Sequence, residues 1–520
     1  MPLNLRDVAR VLEDGLSGYA EITYGSTYRR SVDPNVLLAH PAIRSLQSRQ
    51  GDADKASLRI LDLACGSGKQ LIGAAAANRK FWFHGIDGTP AHVAQAISYA
   101  KISSLDNAFF ECADLLNWTG LQANFGTYDI VTCLGTFAWT PIDVQHSILS
   151  IVANCLSADG IAAVHVLTKP GALTTIATQK SLKASATDCS ALRARLKLAT
   201  AYSAEHAPIV EDSGAMHGIG IDAEIKSISQ RTDAGVAHEY LGGAVSAYYF
   251  RELVEMTAKH GLYIVGDATY GVAHPASPPD GIPGHLYASA TSWDEQQEVL
   301  DCFGRSRGGR CLVLSKRPRV ETDTAPSFSG LHIRLHKRYE ISDLMRYVRH
   351  GLDQERDLAD LTATLEQLRA CYPATTQVNR MPAGGESVRN KWLLDLLASG
   401  RIECCVEPLL FASWAANTPR TSALALSELR DGSDQLTSRT GKQIESCQLF
   451  REVLNLADGA HCIADLDRHC SDWNLFSNDP TSRTSLSKML AKTGHDSTTT
   501  LIDELVRSLP RRLYELGYFD

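Results

Sequence analysis

The stretch Arg59-Ile60-Leu61-Asp62-Leu63-Ala64-Cys65-Gly66-Ser67-Gly68-Lys69 decides the fold. Leu58 to Leu63 is a short apolar run bounded by polar residues, the pattern of a buried strand. It ends in Gly-x-Gly, and Gln70 to Ala77 has helix-forming composition. Strand, glycine turn and helix open a nucleotide-binding α/β unit. The glycines let a ligand approach the backbone and let the turn take positive φ. The first amides of the following helix then face that ligand.

The dinucleotide fingerprint requires a third glycine three residues after the second, and that position is Leu71. What remains is acid-x-x-x-Gly-x-Gly, from Asp62 to Gly68. It resembles motif I of the class I S-adenosylmethionine (SAM) methyltransferases. SAM has no pyrophosphate, so it needs no third glycine. Phe81 to Ile86 is a second apolar strand, ending in Asp87-Gly88, where a carboxylate suits the two ribose hydroxyls. Ala91 to Ser103 reads as a helix and Ala108 to Cys112 as a third strand, followed by Ala113-Asp114-Leu115. By the resemblance, an acid there accepts from the adenine amine. Tyr128 to Leu134 is a fourth strand, ending at Leu134-Gly135, and Gly160 to Leu167 a fifth. Three acids at three successive strand ends fall in phase with the glycine turn. The expected cofactor contacts are Asp62, Ala64, Gly66, Gly68, Asp87, Gly88, Asp114, Leu115 and Leu134, with SAM as the cofactor.

The 520 residues suggest two to four domains. Apolar content of 44% and charged content of 21% describe ordinary globular protein. A net charge of −8 and no long basic run argue against a nucleic-acid partner. The 13 cysteines form no CxxC pair and no zinc spacing, so buried reduced thiols are expected, Cys112, Cys133 and Cys311 among them. Cys404 and Cys405 fall on a strand with their side chains on opposite faces. No metal site is expected. Met1 to Glu13 lacks a signal-peptide core, and no apolar stretch reaches membrane-spanning length. The expected compartment is a reducing cytoplasm, with no membrane insertion.

The expected fold class is α/β: a Rossmann-like, seven-stranded class I methyltransferase domain with a helical insertion, plus a C-terminal α+β domain. Residues 1–57 form a helical and aromatic lid segment, with helices over Leu5 to Leu12 and Val36 to Leu46. Between them, Tyr19-Ala20-Glu21-Ile22-Thr23-Tyr24 is either an arm over the pocket or surface packing. Residues 58–172 are the nucleotide-binding core and 173–236 the insertion, with Ser181 to Ala201 its longest helix. Residues 237–317 complete the sheet, with a helix over Tyr248 to His260, a sixth strand over Leu262 to Val265 and an antiparallel seventh over Cys311 to Ser315. Residues 327–520 mix strands (Gly330 to Arg334, Arg401 to Val406) with helices (Leu358 to Cys371, Val388 to Ala398, Gln443 to Leu456, Thr500 to Leu509). After the fourth strand, Thr136-Phe137-Ala138-Trp139-Thr140-Pro141 replaces the Asp/Asn-Pro-Pro-Tyr of enzymes that methylate bases or amides. Its two rings line an acceptor pocket or belong to the core.

These segments together resemble bacterial SAM methyltransferases that carry a methyltransferase regulatory domain, similar to the rickettsial outer-membrane-protein lysine methyltransferases. The matching stretches are Tyr19 to Tyr24, Asp62 to Gly68, Gly85-Ile86-Asp87, Ala113-Asp114, Thr136 to Pro141 and Lys169-Pro170-Gly171. Further on are His238-Glu239-Tyr240-Leu241, Tyr249-Phe250, Leu393 to Gly400 and Leu456-Ala457-Asp458-Gly459. The chain departs from the family at Lys69-Gln70, where Gly-Asn is usual. It departs again at Leu167 and Lys169, where relatives carry Asn and Tyr.

The resemblance implies methyl transfer to protein lysine side chains. The acceptor is then a protein, an outer-membrane or surface protein included, or a small molecule, and a homodimer is allowed. An amine with a free pKa near 10.4 must lose its proton before it attacks. Burial among Trp139, Phe137 and Tyr24 lowers that pKa, and Glu21 takes the proton. The catalytic candidates are therefore Tyr24, Glu21 and Trp139. The alternatives are a small-molecule or secondary-metabolite methyltransferase and a non-catalytic SAM-binding scaffold.

Overall fold

The computed structural model describes residues 27–47, 57–118, 127–185, 196–201, 231–273, 284–303, 308–320, 327–348, 355–382, 385–409, 419–440, 442–476 and 509–516, together with residues 22, 194, 224, 228, 484, 486, 506, 518 and 519. Its centre is one sheet. Strands β1 (Arg59–Leu63), β2 (Trp82–Asp87), β3 (Ala108–Cys112), β4 (Tyr128–Cys133) and β5 (Leu156–Thr168) run parallel. A two-residue strand β6 (Ala247–Tyr248) pairs with the end of β5. Then come β7 (Tyr263–Asp267) and β8 (Gly309–Ser315). The order is β3-β2-β1-β4-β5-β8-β7, with β8 antiparallel to both of its neighbours. This is the seven-stranded methyltransferase sheet anticipated from the sequence. β6 was not anticipated, because two residues carry no periodic signal.

Successive side chains on a strand face opposite sides, and the sheet therefore has two cores. One gathers Leu61, Leu63, Ile86, Val131, Val164 and Leu312 under helices α5 (Ile142–Cys155), α7 (Phe250–Ala258) and α8 (Trp293–Phe303). The other gathers Ile60, Phe83, Ile130, Ile161 and Val313 under α3 (Lys69–Ala77) and α4 (Pro90–Ile102). Strands buried on both faces have near-continuous apolar runs, which is why β1 was legible. Helix α3 is buried on nearly every side. A Cβ at its Gly73 would meet the Tyr28 ring at 2.8 Å.

The expected helix over Val36 to Leu46 is two: α1 (Pro34–Leu37) and α2 (Pro41–Gln47). Pro41 excludes His40 from the helical region, and the chain bends there. The expected helix Leu5 to Leu12 lies outside the described residues. The chain leaves the sheet after β5 and returns at β6. Between them α6 (Leu173–Ser185) and the turn Val236–Tyr240 pack Leu182, Leu196, Ile228 and Tyr240 into a small separate core, against which Ile22 lies. The expected helix Ser181 to Ala201 is only partly visible, as the end of α6 and as residues 196–201. No helix joins β3 to β4 among the described residues.

The C-terminal region has two cores. Strands β9 (His332–Leu335), β10 (Thr376–Gln377) and β11 (Ile402–Cys405) form an antiparallel sheet ordered β10-β9-β11, which packs on α9 (Glu355–Cys371) and α10 (Glu386–Ala398). Cys404 and Cys405 are both buried there. The second core is helical, around α11 (Ala423–Arg430), α12 (Gln448–Leu456), α13 (Ile463–Phe476) and α14 (Leu509–Leu516). The expected helix over Gln443 to Leu456 begins only at Gln448. Gln443–Glu445 is instead β13, paired with β12 (Gln435–Thr437). Of the expected helix Thr500 to Leu509, Val506 and Leu509 are described as helical.

Candidate cofactor and acceptor site

β1 is followed by Ala64, which takes φ 56°, and the turn continues through Gly66 (φ 57°) and Gly68 (φ 74°) into α3. Gly68 is the residue that caps this helix. A Cβ there would lie 2.7 Å from the Phe110 ring and 2.8 Å from Ala96 Cβ. The glycine is therefore required twice, by its left-handed backbone and by the close approach of α4 and β3. The first amides of α3 have no intrahelical partner and open toward the strand ends.

Asp87 terminates β2 and is buried. Its Oδ2 accepts the Gly66 amide at 2.9 Å, and its Oδ1 accepts the Thr89 amide at 2.9 Å. His92 Nδ1 stands 3.3 Å from Oδ1. A carboxylate has about four acceptor positions, so these partners leave room on Oδ2 for one ribose hydroxyl. Burial alone would push this carboxyl up, but the His92 and backbone hydrogen bonds outweigh it and hold the group below the ordinary range. Asp87→Ala removes the acceptor used by two backbone amides and by His92. The variant is expected to lose about 1.5–3 kcal/mol of SAM affinity and about 1–3 kcal/mol of stability. Calorimetry and urea denaturation measure the two losses, and an unchanged SAM affinity would leave Asp87 as a turn-former only.

Asp62 is buried within β1, and Thr132 Oγ1 donates to its Oδ1 at 2.6 Å. Burial pushes its carboxyl up to about 7; the Thr132 hydrogen bond pulls the other way, and the charge of Asp87 adds to the rise. An acid whose folded pKa lies above its unfolded value stabilises the fold at low pH and loses that contribution as pH rises through the folded pKa. Asp62→Asn removes this titration. Its stability relative to the unmodified chain is expected to climb between about pH 4 and about pH 7 and then level off. Urea midpoints across that range measure it, and a flat difference would show that Asp62 stays ionised.

Asp114 is exposed, and its carboxylate caps the following turn through the Leu116 amide at 3.0 Å and Asn117 Nδ2 at 3.0 Å. Leu115 turns its side chain into the core and offers only backbone. Gly88 and Leu134 are half-buried at the ends of β2 and β4. Gly135 has φ 74°, and a Cβ on it would meet nothing within 4 Å, so the end of β4 faces open space. The exposed thiol of Cys112 corrects the expectation of a buried one: it stands at the end of edge strand β3.

On the acceptor side, Phe137 and Trp139 share a single helical turn, Phe137–Trp139, but divide between roles. Phe137 is 1% exposed and belongs to the core beside Cys133 and Ile148, which removes it from the pocket. Trp139 is half-buried. The Ser246 amide donates to Ala138 O at 2.8 Å, and Tyr248 Oη donates to Gln145 Oε1 at 2.5 Å. These bonds hold the returning chain beside Trp139. Glu21 and Tyr24 lie outside the described residues. Their neighbour Ile22 gives its carbonyl to His238 Nε2, and His92 acts electrostatically on that histidine.

The departures Lys69 and Gln70 point away from the crevice. Lys69 Nζ pairs with Glu428 on α11 at 2.7 Å. Gln70 receives the Arg29 amide on Oε1 at 2.6 Å and donates from Nε2 to Arg29 O at 3.2 Å. Tyr99 and Gln95 of α4 reach Asp431 at 2.9 and 2.8 Å. Both helices beside the glycine turn are thus tied to the C-terminal region. The sequence reading missed Thr132, Thr89, His92 and these pairings. His92 alone had a local signal, lying in the first turn of the helix that follows Asp87.

The sheet order and the glycine turn are those of a Rossmann-like, class I SAM-dependent methyltransferase domain. Residues 60–160 match the family model described as a methyltransferase domain. Over 270 residues the chain is 23% identical to the uncharacterized protein RP789 of Rickettsia prowazekii, covering 52% of this chain and 48% of that one, about half its length. It is 26% identical over 204 residues to RP028 of the same organism, covering 39% of this chain and 79% of that one. PKMT2 from Rickettsia typhi has the same fold, with a TM-score of 0.69 at 16% identity, covering 95% of this chain and 99% of that one. The structure of that protein in complex with AdoHcy gives a TM-score of 0.72 over the same shares at 16% identity. Among the described residues no group of three or more His, Cys, Asp or Glu is placed to hold a metal. No described helix is long and apolar enough to cross a membrane.

Proposed function

We propose that this protein transfers the methyl group of SAM to a lysine amine of a protein. One observation carries the choice of acceptor: the fold shared with PKMT2 extends through the C-terminal region and is not confined to the sheet. The residues present suit the cofactor. Asp87 keeps an acceptor position for a ribose hydroxyl, and this reading assigns the methionine carboxylate to the α3 amides and the adenine to Asp114 and Leu115. Bound SAM supplies an electrophilic methyl group on a sulfonium. The chain's own work is to hold an amine in line with it, which is worth several kcal/mol, about 7–11 at best. Trp139 forms one wall of that path, and removing water around the amine lowers its pKa. This reading keeps for Tyr24 and Glu21 the roles that the resemblance implies, helping to bury the amine and receiving its proton.

The test is full-length protein with methyl-labelled SAM and a bacterial lysate. Label on lysine side chains of protein is the expected result. Label on small molecules alone, or none with SAM bound, overturns this reading. In the same assay Trp139→Ala is expected to cost on the order of 100-fold in turnover while SAM affinity and melting temperature hold. If Trp139 were core, its truncation would instead cost roughly 3–5 kcal/mol of stability.

A further inference from the structure

Lys169 is the first residue beyond β5, and its amide donates to Tyr248 O at 2.9 Å. Its side chain runs across the start of α7. There Nζ lies 3.1 Å from Glu252 Oε2 and 5.0 Å from the centroid of the Tyr249 ring. A carboxylate and an aromatic face thus meet on one primary ammonium, a combination that selects a compact cation over a neutral group. The segment leading into α7 is bonded to the Phe137–Trp139 turn, where the Ser246 amide donates to Ala138 O at 2.8 Å.

Three features make this more than an incidental ion pair. The carboxylate is placed independently of Lys169, since its Oε2 also accepts the Tyr249 amide at 2.8 Å and caps α7. Its charge is favoured as well. Burial would raise the pKa, but the Tyr249 amide and Lys169 together outweigh it and lower it. The first turn of a helix also favours an anion. Finally, the site is open to solvent, with Tyr249 37% exposed and the Glu252 side chain 47%. An ammonium arriving from outside can reach both groups. Exposed ion pairs contribute little, so the resident ammonium is easily displaced.

We propose that Tyr249 and Glu252 form an entry subsite that recognises the acceptor lysine while it is still an ammonium, before it passes into the path beside Trp139 and loses its proton, and that Lys169 fills this subsite from within the chain until the acceptor displaces it. Lys169 then acts as a built-in competitor and sets the affinity for cationic acceptors. The proposal deepens the methyltransferase reading and rests on it. Its binding chemistry is testable without turnover.

The probe is n-butylammonium, which copies the head and stem of lysine. Its binding to full-length protein is followed by ligand-observed NMR, with butanol as the neutral control. Lys169→Met is expected to bind the cation about tenfold tighter than the unmodified chain, the effect of one exposed cation–π contact and one exposed ion pair. Adding Glu252→Gln or Tyr249→Leu to Lys169→Met should remove that gain. Glu252→Gln keeps a carbonyl oxygen for the Tyr249 amide, so α7 stays capped; melting temperatures verify this. No gain in Lys169→Met, or a gain that survives both second substitutions, overturns the proposal. A parallel arm uses labelled SAM with an acetylated and amidated Gly-Lys-Gly peptide, where Lys169→Met should lower KM and leave SAM affinity unchanged. Cation binding without transfer to the peptide would count against lysine methylation and leave the subsite standing. Transfer without cation binding would do the reverse.

Discussion

Glu403→Ala is expected to cost roughly 3–5 kcal/mol of stability, the loss seen when one member of a buried ion pair is removed. Glu403 lies on β11, 3% exposed as a side chain, between Arg30 Nε at 3.1 Å and Arg334 Nε at 2.9 Å. Both guanidinium groups are buried, and neither has water to replace the carboxylate. Arg30 keeps Asp33 at 3.3 Å, which softens the loss on that side only. Burial would raise the Glu403 pKa, but Arg30 and Arg334 outweigh it and hold the carboxyl far below its usual range. A depressed acid gives stability that is present above its unfolded pKa and is lost as pH falls toward the folded value. Acid unfolding of the unmodified chain should therefore sharpen below about pH 4.5, and Glu403→Gln should flatten that limb. Chemical denaturation across pH measures both effects. A loss in Glu403→Ala under about 1 kcal/mol, the scale of an exposed pair, would sink the argument.

Gly68→Ala is the second large effect. The new methyl group meets Phe110 and Ala96 at distances that real side chains do not occupy. Its backbone also stays at φ 74°, a left-handed conformation costing about 1–2 kcal/mol for an L-residue. Overpacking adds about 1–3 kcal/mol, for a total of roughly 2–5. Any relief moves the turn that carries the α3 amides, so SAM binding should fall even where the protein stays folded. Gly135→Ala is the control, with the same φ of 74° but nothing within 4 Å. It should lose only the backbone cost. A Gly68→Ala protein as stable as Gly135→Ala would show that α3 and α4 yield more easily than their packing implies. Melting curves with and without SAM decide it.

What the sequence made legible follows from how local each signal is. The strand runs, the glycine turn and the acids that follow the strands are contiguous patterns, and they located β1 to β5 and Asp87 closely. Lys69 and Gln70 looked like an altered cofactor turn, because their partners Glu428 and Arg29 are distant in the chain. Phe137 and Trp139 are two residues apart in one short turn. Only the three-dimensional packing separates the core ring from the half-exposed one. Asp87 was picked out as the acid that closes β2, but its hold on Gly66 was not, since that bond spans 21 residues. Gln443 to Leu456 failed for another reason: a three-residue strand followed directly by a helix gives a nearly continuous helical composition. The Tyr249 and Glu252 pair was missed because an aromatic and an acid three residues apart at a helix start are common and have no meaning until Lys169 is placed over them.

The pairing of Arg30 with Glu403 also sets an order in time. The two residues are 373 positions apart. At a synthesis rate of about 5–20 residues per second, roughly 20–75 s pass between the appearance of one and of the other. Through that interval the arm leading into the glycine turn is made, and β1 to β5 follow it, but Arg30 has only its near neighbours Tyr28 and Asp33 as side-chain partners. Lys69 waits nearly as long for Glu428, which is made after Glu403. The nascent sheet therefore exists for a time without the bonds that brace both sides of its cofactor turn. A ribosome-released fragment ending near residue 320 is expected to keep the strands and to bind SAM weakly, so that competence for the cofactor arrives only with the last quarter of the chain.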